Sequence, residues 1–138
     1  MQINDVVSGV NAKLAGETLT FNELKLFLDE TVDDINSELN AQFPVFSAFN
    51  AGDEYTAIPD NYIRSVVFTG AAVKFYETDE EGIMTAQQYS YDYRDRLFIM
   101  KRDYSYSVPD EYQADRKAYL PGAPSQDPVL ETLYQGWW

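Results

Sequence analysis

The sequence predicts a mainly α fold: a small bundle of about four helices followed by an extended, aromatic-rich C-terminal arm. Three observations predict it. Four stretches carry apolar residues at the helical period between recognisable start and stop signals. The 138 residues are 45% hydrophobic and 24% charged, ordinary values for one globular core. After residue 102 the helical period fades while proline, tyrosine and tryptophan accumulate. The expected organisation is therefore a bundle over residues 1–102 and an arm over residues 103–138.

The first helix is expected over residues 3–15. Ile3, Val6, Val7, Val10 and Leu14 repeat at helical spacing, and Gly16 suits the position just past the end. The second, over residues 21–41, has the clearest start in the chain. Thr20-Phe21-Asn22-Glu23 spells a capping box, and Leu19 is placed to staple onto Leu24. Leu24, Phe27, Leu28, Thr31, Ile35 and Leu39 then form one apolar stripe. The acids Asp29, Glu30, Asp33, Asp34 and Glu38 fall mostly off that stripe and make a candidate acidic face. Phe43-Pro44 stops the helix, because a residue before proline avoids helical geometry.

Residues 45–58 read as a loop leading into an extended piece, Tyr55-Thr56-Ala57-Ile58. Pro59-Asp60 opens a third helix over residues 60–77, with proline fixing φ and aspartate complementing the helix dipole. Ile63, Val66, Val67, Gly70, Ala71 and Phe75 are its expected inner face, and Gly70-Ala71-Ala72 is a small-residue patch for close helix approach. Asp79-Glu80-Glu81-Gly82 is an acidic turn. A fourth helix over residues 82–101 places Ile83, Ala86, Tyr93, Leu97 and Met100 on one side.

Beyond Arg102, Tyr104, Tyr106 and Val108 alternate with polar residues, a weak strand signal. Pro109-Asp110 starts a helical turn, three prolines crowd residues 121–128, and Asp127-Pro128 reads as the start of a short last helix. Eight of the eleven tyrosines lie at or after Tyr89, and Trp137-Trp138 close the chain. Tyrosine and tryptophan on an arm that cannot form its own core suit burial against another protein. The candidate subunit interface is Tyr104, Tyr106, Tyr112, Tyr119, Leu120, Tyr134, Trp137 and Trp138.

Composition excludes much chemistry. There is no cysteine and no histidine, which removes Ser-His-Asp and Cys-His catalysis, the usual zinc sites and histidine-ligated haem. The net charge of −13, from 23 acids and 10 bases, repels nucleic-acid phosphates and anionic lipid. Residues 1–60 hold eleven acids and two bases, whereas residues 90–117 hold six of each, an imbalance through which copies can attract head to side. No apolar run approaches the roughly 20 residues that span a bilayer. Met1-Gln2-Ile3-Asn4-Asp5 lacks the basic start of a signal peptide.

Three catalytic or metal patterns fail on context. Pro109-Asp110 with Asp115-Arg116-Lys117 spells a nuclease string, but such acids belong on adjacent strands and here fall in turn and helix. Asp29–Asp34 lacks the glycine and spacing of a calcium loop. Asp92 and Asp95 stand beside Arg94 and Arg96, which points to surface ion pairing. No catalytic, cofactor or metal residues are assigned.

Residues 20–102 resemble the head–tail connector (adaptor, or head-completion) proteins of tailed bacteriophages. The resemblance rests on the capped acidic helix Thr20–Ala41, the run Tyr55–Asp60 into proline, the helix containing Ile63–Ala72, the acidic turn and the long helix from Gly82. It implies a structural, non-enzymatic virion protein without cofactor. Similar proteins form a ring, usually of twelve copies, beneath the portal and link capsid to tail. The implied partners are copies of itself, the portal protein and the next tail-side protein. DNA would pass through an acidic channel without specific binding. The implied location is the virion, and the host cytoplasm during assembly, with no membrane. The rival from another class is an acidic DNA mimic that inhibits a DNA-binding enzyme; a metal-dependent nuclease is the weaker alternative.

Overall fold

The computed structural model describes residues 1–14, 16–78 and 82–114. The described residues are mainly helical, with four principal helices. They are α1 (Ile3–Asn11), α2 (Phe21–Leu39), α3 (residues 60–77) and α4 (Ile83–Tyr104). Short 3-10 turns at Phe46–Ala48, Ser105–Ser107 and Asp110–Tyr112 complete the described elements.

Helix α1 buries Ile3, Val6 and Val10, as the period requires, but ends at Asn11, four residues before the expected boundary. The physical reason lies in Asn11 itself. Its side chain accepts from the Leu19 backbone N–H at 2.9 Å and donates to the Leu19 carbonyl at 2.8 Å. That bidentate clamp leads the chain into α2. Gly16 sits at φ 79°, left-handed backbone that favours glycine.

The capping box at α2 is complete. Thr20 Oγ1 accepts from the Glu23 N–H at 3.3 Å, and the Thr20 N–H donates to Glu23 Oε1 at 3.1 Å. The helix stops at Leu39, two residues early, because Asn40 turns left-handed at φ 52°. A second asparagine clamp follows: Asn36 Oδ1 accepts from the Phe43 N–H at 2.8 Å, and Asn36 Nδ2 donates to the Phe43 carbonyl at 3.1 Å.

Between α2 and α3 the aromatics pack inward. The buried Tyr55 ring stacks on Phe46 at 4.2 Å, and its hydroxyl donates to the Pro44 carbonyl at 2.6 Å. Gln2 and Glu54 form an isolated antiparallel bridge, so the extended piece pairs with the start of the chain.

Helix α3 departs from expectation in two ways. A π-helical segment, Ile63–Val67, joins the opening turn Asp60–Tyr62 to the α-helical Phe68–Glu77. The expected one-sided inner face is also too narrow. Thr69, Gly70, Ala71, Ala72, Val73 and Tyr76 are all buried, while Phe75 is only partly so. The helix is central: α1, α2 and α4 all pack against it. Gly70 makes this possible, since a Cβ there would stand 2.5 Å from Thr31 Cγ2 and 2.7 Å from Tyr93 Cε1. Gly9 serves α1 in the same way, with its Cα against the Phe68 ring.

Helix α4, about 33 Å long, buries Ala86, Tyr93, Leu97 and Met100. Ile83, expected on that side, is exposed. The helix also runs through the boundary expected at 102 and ends at Tyr104. Residues 103–114 are correspondingly placed on the bundle. The weak strand signal at Tyr104–Val108 resolves into the end of α4 and a 3-10 turn. Val108 is buried, Gln113 bridges Ala41, and the Gln42 N–H donates to the Tyr112 carbonyl at 2.6 Å. The apolar contacts of Val108 and Tyr112 outweigh the local alternation that suggested a strand.

Candidate assembly surfaces

The acidic face of α2 divides once side chains are placed. Asp34 turns toward α3 and α4, where its Oδ2 accepts from Lys74 Nζ at 2.8 Å and from the Tyr93 hydroxyl at 2.8 Å. Burial, and then the Asp34 charge, push the Tyr93 hydroxyl far above its ordinary pKa, so it stays a donor. Lys74 Nζ also lies 5.8 Å from the Tyr93 ring centroid. Glu38 pairs with Lys101 at 3.7 Å, and Asp29 accepts from the Ser47 N–H at 3.0 Å. Among the described residues, Glu30 and Asp33 are the two acids of this group that project to solvent without an ion pair. Three of the five candidates thus have partners within the chain, which periodicity alone did not reveal.

The aromatic candidates separate in the same manner. Tyr104 packs on Tyr62 with ring centroids 5.1 Å apart, and Tyr112 packs on Phe43 at 5.4 Å. Both are half-buried in the bundle's own surface. Tyr106 is 94% exposed. Tyr119, Leu120, Tyr134, Trp137 and Trp138 lie outside the described residues, as do the turn at residues 79–81 and the short last helix expected from Asp127.

One surface escaped the sequence reading. The outer side of α4 exposes Met84, Tyr91 and Phe98, spaced by seven residues, with Ile99 beside them. The signal was present as a heptad on the side opposite Ala86, Tyr93, Leu97 and Met100. It was masked because a helix with apolar residues on two sides has no clear amphipathic direction.

The remaining motifs behave as surface chemistry. Asp92 accepts from Arg96 Nε with both carboxylate oxygens at 2.9 Å, a pairing one turn apart. Asp110 opens an exposed 3-10 turn, while Asp115 and Lys117 lie outside the described residues. Among the described residues there is no group of three or more acids placed to hold a metal ion. No described helix is long and apolar enough to cross a membrane. The described surface includes an open groove of about 390 Å³ beside Ile83, Gln87, Tyr91 and Arg94, and one of about 270 Å³ bordered by Asp34, Ser37, Lys74, Tyr93 and Arg94.

Comparison with protein-family models, curated proteins and solved structures finds no match to this chain.

Proposed function

We propose that the chain is a structural assembly protein, a head–tail connector of a tailed bacteriophage that works as a ring beneath the portal. The observation that carries the reading is the pairing of a filled helical core with large apolar side chains left outside: Met84, Tyr91 and Phe98 on α4, and Tyr106 beyond it. Exposed apolar residues in a line mark protein–protein surfaces. The reading also rests on the resemblance over residues 20–102, and the net charge of −13 suits a part past which DNA slides without sticking.

The DNA-mimic alternative needs a run of free carboxylates along one face. Asp29, Asp34 and Glu38 are engaged internally, which leaves Glu30 and Asp33 on α2 and weighs against it. The nuclease alternative draws no support from Asp110, exposed on a 3-10 turn.

Mass measurement of the purified protein, alone and mixed with its portal protein, tests the proposal. A closed ring of about twelve copies on the portal is the expected result. A monomer or dimer that ignores the portal and instead inhibits a DNA-binding enzyme would install the mimic reading.

A further inference from the structure

Helix α4 carries a second apolar face that the bundle does not use. Met84, Tyr91 and Phe98 are 78%, 73% and 62% exposed. Seven residues are about two helical turns, so the three side chains form one seam roughly 21 Å long. The charge around the seam is also unusual for this protein. Helix α4 holds four bases and three acids, whereas α2 holds six acids and one base. Arg94 flanks the seam and, among the described residues, makes no ion pair or hydrogen bond.

The outer line of α2 offers the complement. Leu26 is 61% exposed and is followed along the same line by Glu30, Asp33 and Ser37. Asp34 and Glu38 are paired within the copy to Lys74 and Lys101, and Ser37 and Arg94 stand on the rim of the open groove between α2 and α4, whereas Leu26, Glu30 and Asp33 lie outside that groove.

We infer that the outer face of α4 in one copy docks antiparallel onto the outer face of α2 in the next, with Phe98 beside Leu26 and Arg94 facing Glu30. The rise of about 1.5 Å per residue sets the register. With Phe98 against Leu26, Glu30 and Arg94 each stand about 6 Å along their own helix, in matching directions. The same register sets Asp33 at Tyr91 and Ser37 at Gln87. A parallel arrangement with Leu26 on Tyr91 would instead set Glu30 at Asp95, two like charges. A parallel arrangement with Leu26 on Phe98 would leave Tyr91 and Met84 uncovered, and Arg102 there is already bonded to Asp103. The two faces differ, so each copy offers one donor and one acceptor surface, and the contact propagates from copy to copy. This inference rests on the assembly reading and names its contact.

The absence of cysteine gives a direct test in the full chain. Ser37→Cys protein mixed with Gln87→Cys protein should form an intermolecular disulfide under mild oxidation, well above the yield of either variant alone. Glu30→Arg or Arg94→Glu, added singly to that mixture, should lower the yield about tenfold, and both reversals together in each chain should restore it. Gln87→Cys alone cross-linking as efficiently as the mixture would mean that α4 pairs with α4, and overturns the inference. No cross-link in the mixture at high protein concentration overturns it too. The mass measurement on the portal separates the two levels. A ring without the 37–87 cross-link removes this interface and keeps the connector reading. The cross-link without portal association keeps the interface and removes the connector reading.

Discussion

Gly70→Ala adds one methyl group where three helices meet, and the structure sets its cost. The new Cβ would lie 2.5 Å from Thr31 Cγ2, 2.7 Å from Tyr93 Cε1 and 3.0 Å from Thr31 Oγ1. Neither neighbour is free to swing away. Thr31 is fully buried and its hydroxyl donates to the Phe27 carbonyl at 2.8 Å, while Tyr93 is held by its hydrogen bond to Asp34. Alanine gains about 1 kcal/mol over glycine in a helix interior. Overpacking a rigid site costs up to about 3 kcal/mol. The net expectation is a loss of about 2 kcal/mol, or on the order of 8 °C in melting temperature for a domain of this size. Thermal and urea unfolding followed by circular dichroism measure it. Thr31→Ser supplies the internal check, because it removes the Cγ2 methyl and keeps the hydroxyl; the penalty of Gly70→Ala should fall by about 1 kcal/mol in that background. Gly52→Ala, with nothing within 4 Å of its Cβ, should change stability by less than about 0.5 kcal/mol. A Gly70→Ala protein as stable as the parent, or an equal penalty with and without Thr31→Ser, would refute the close-approach argument.

Three further outcomes follow from the same structure. Burial raises the hydroxyl pKa of Tyr55 and of Tyr93 above the ordinary 10.0, so their contribution to stability is full below pH 10 and lost as pH rises beyond it. Urea unfolding at about pH 9 and about pH 11 should show that loss, and Tyr93→Phe should lose less between the two; equal losses would discard the buried-phenol account. Asn36→Ala strands the Phe43 N–H and carbonyl and should cost about 2 kcal/mol, read in the same urea titration, where an unchanged midpoint would show that water replaces the clamp. Truncation after Arg102 removes the buried Val108, the Tyr112–Phe43 contact and the bridge to Ala41, and should melt well below a chain truncated after Ala114; equal melting of the two would mean that residues 103–114 add nothing to the bundle.

The sequence by itself determined the helical class, the number of principal helices and the chemistry that starts α2 and α3. Those properties are local. Thr20 and Glu23 meet because they are three residues apart on one turn, and the apolar stripe of α2 needs no knowledge of what covers it. Pro59 and Asp60 start α3 for the same kind of reason.

Only the tertiary structure decided which side chains serve the core and which remain for a partner. Asp34 and Glu38 look like their neighbours Glu30 and Asp33 in the sequence, yet Lys74, Tyr93 and Lys101 reach the first pair from α3 and α4. Tyr104 and Tyr112 look like Tyr106, yet Tyr62 and Phe43 cover them. The seam Met84–Tyr91–Phe98 is outside because α3 already occupies the opposite side of α4, against Tyr93, through a gap that Gly70 leaves open. Burial is a property of pairs of elements far apart in the chain, and the period of one helix cannot say which of its two apolar sides another helix will take.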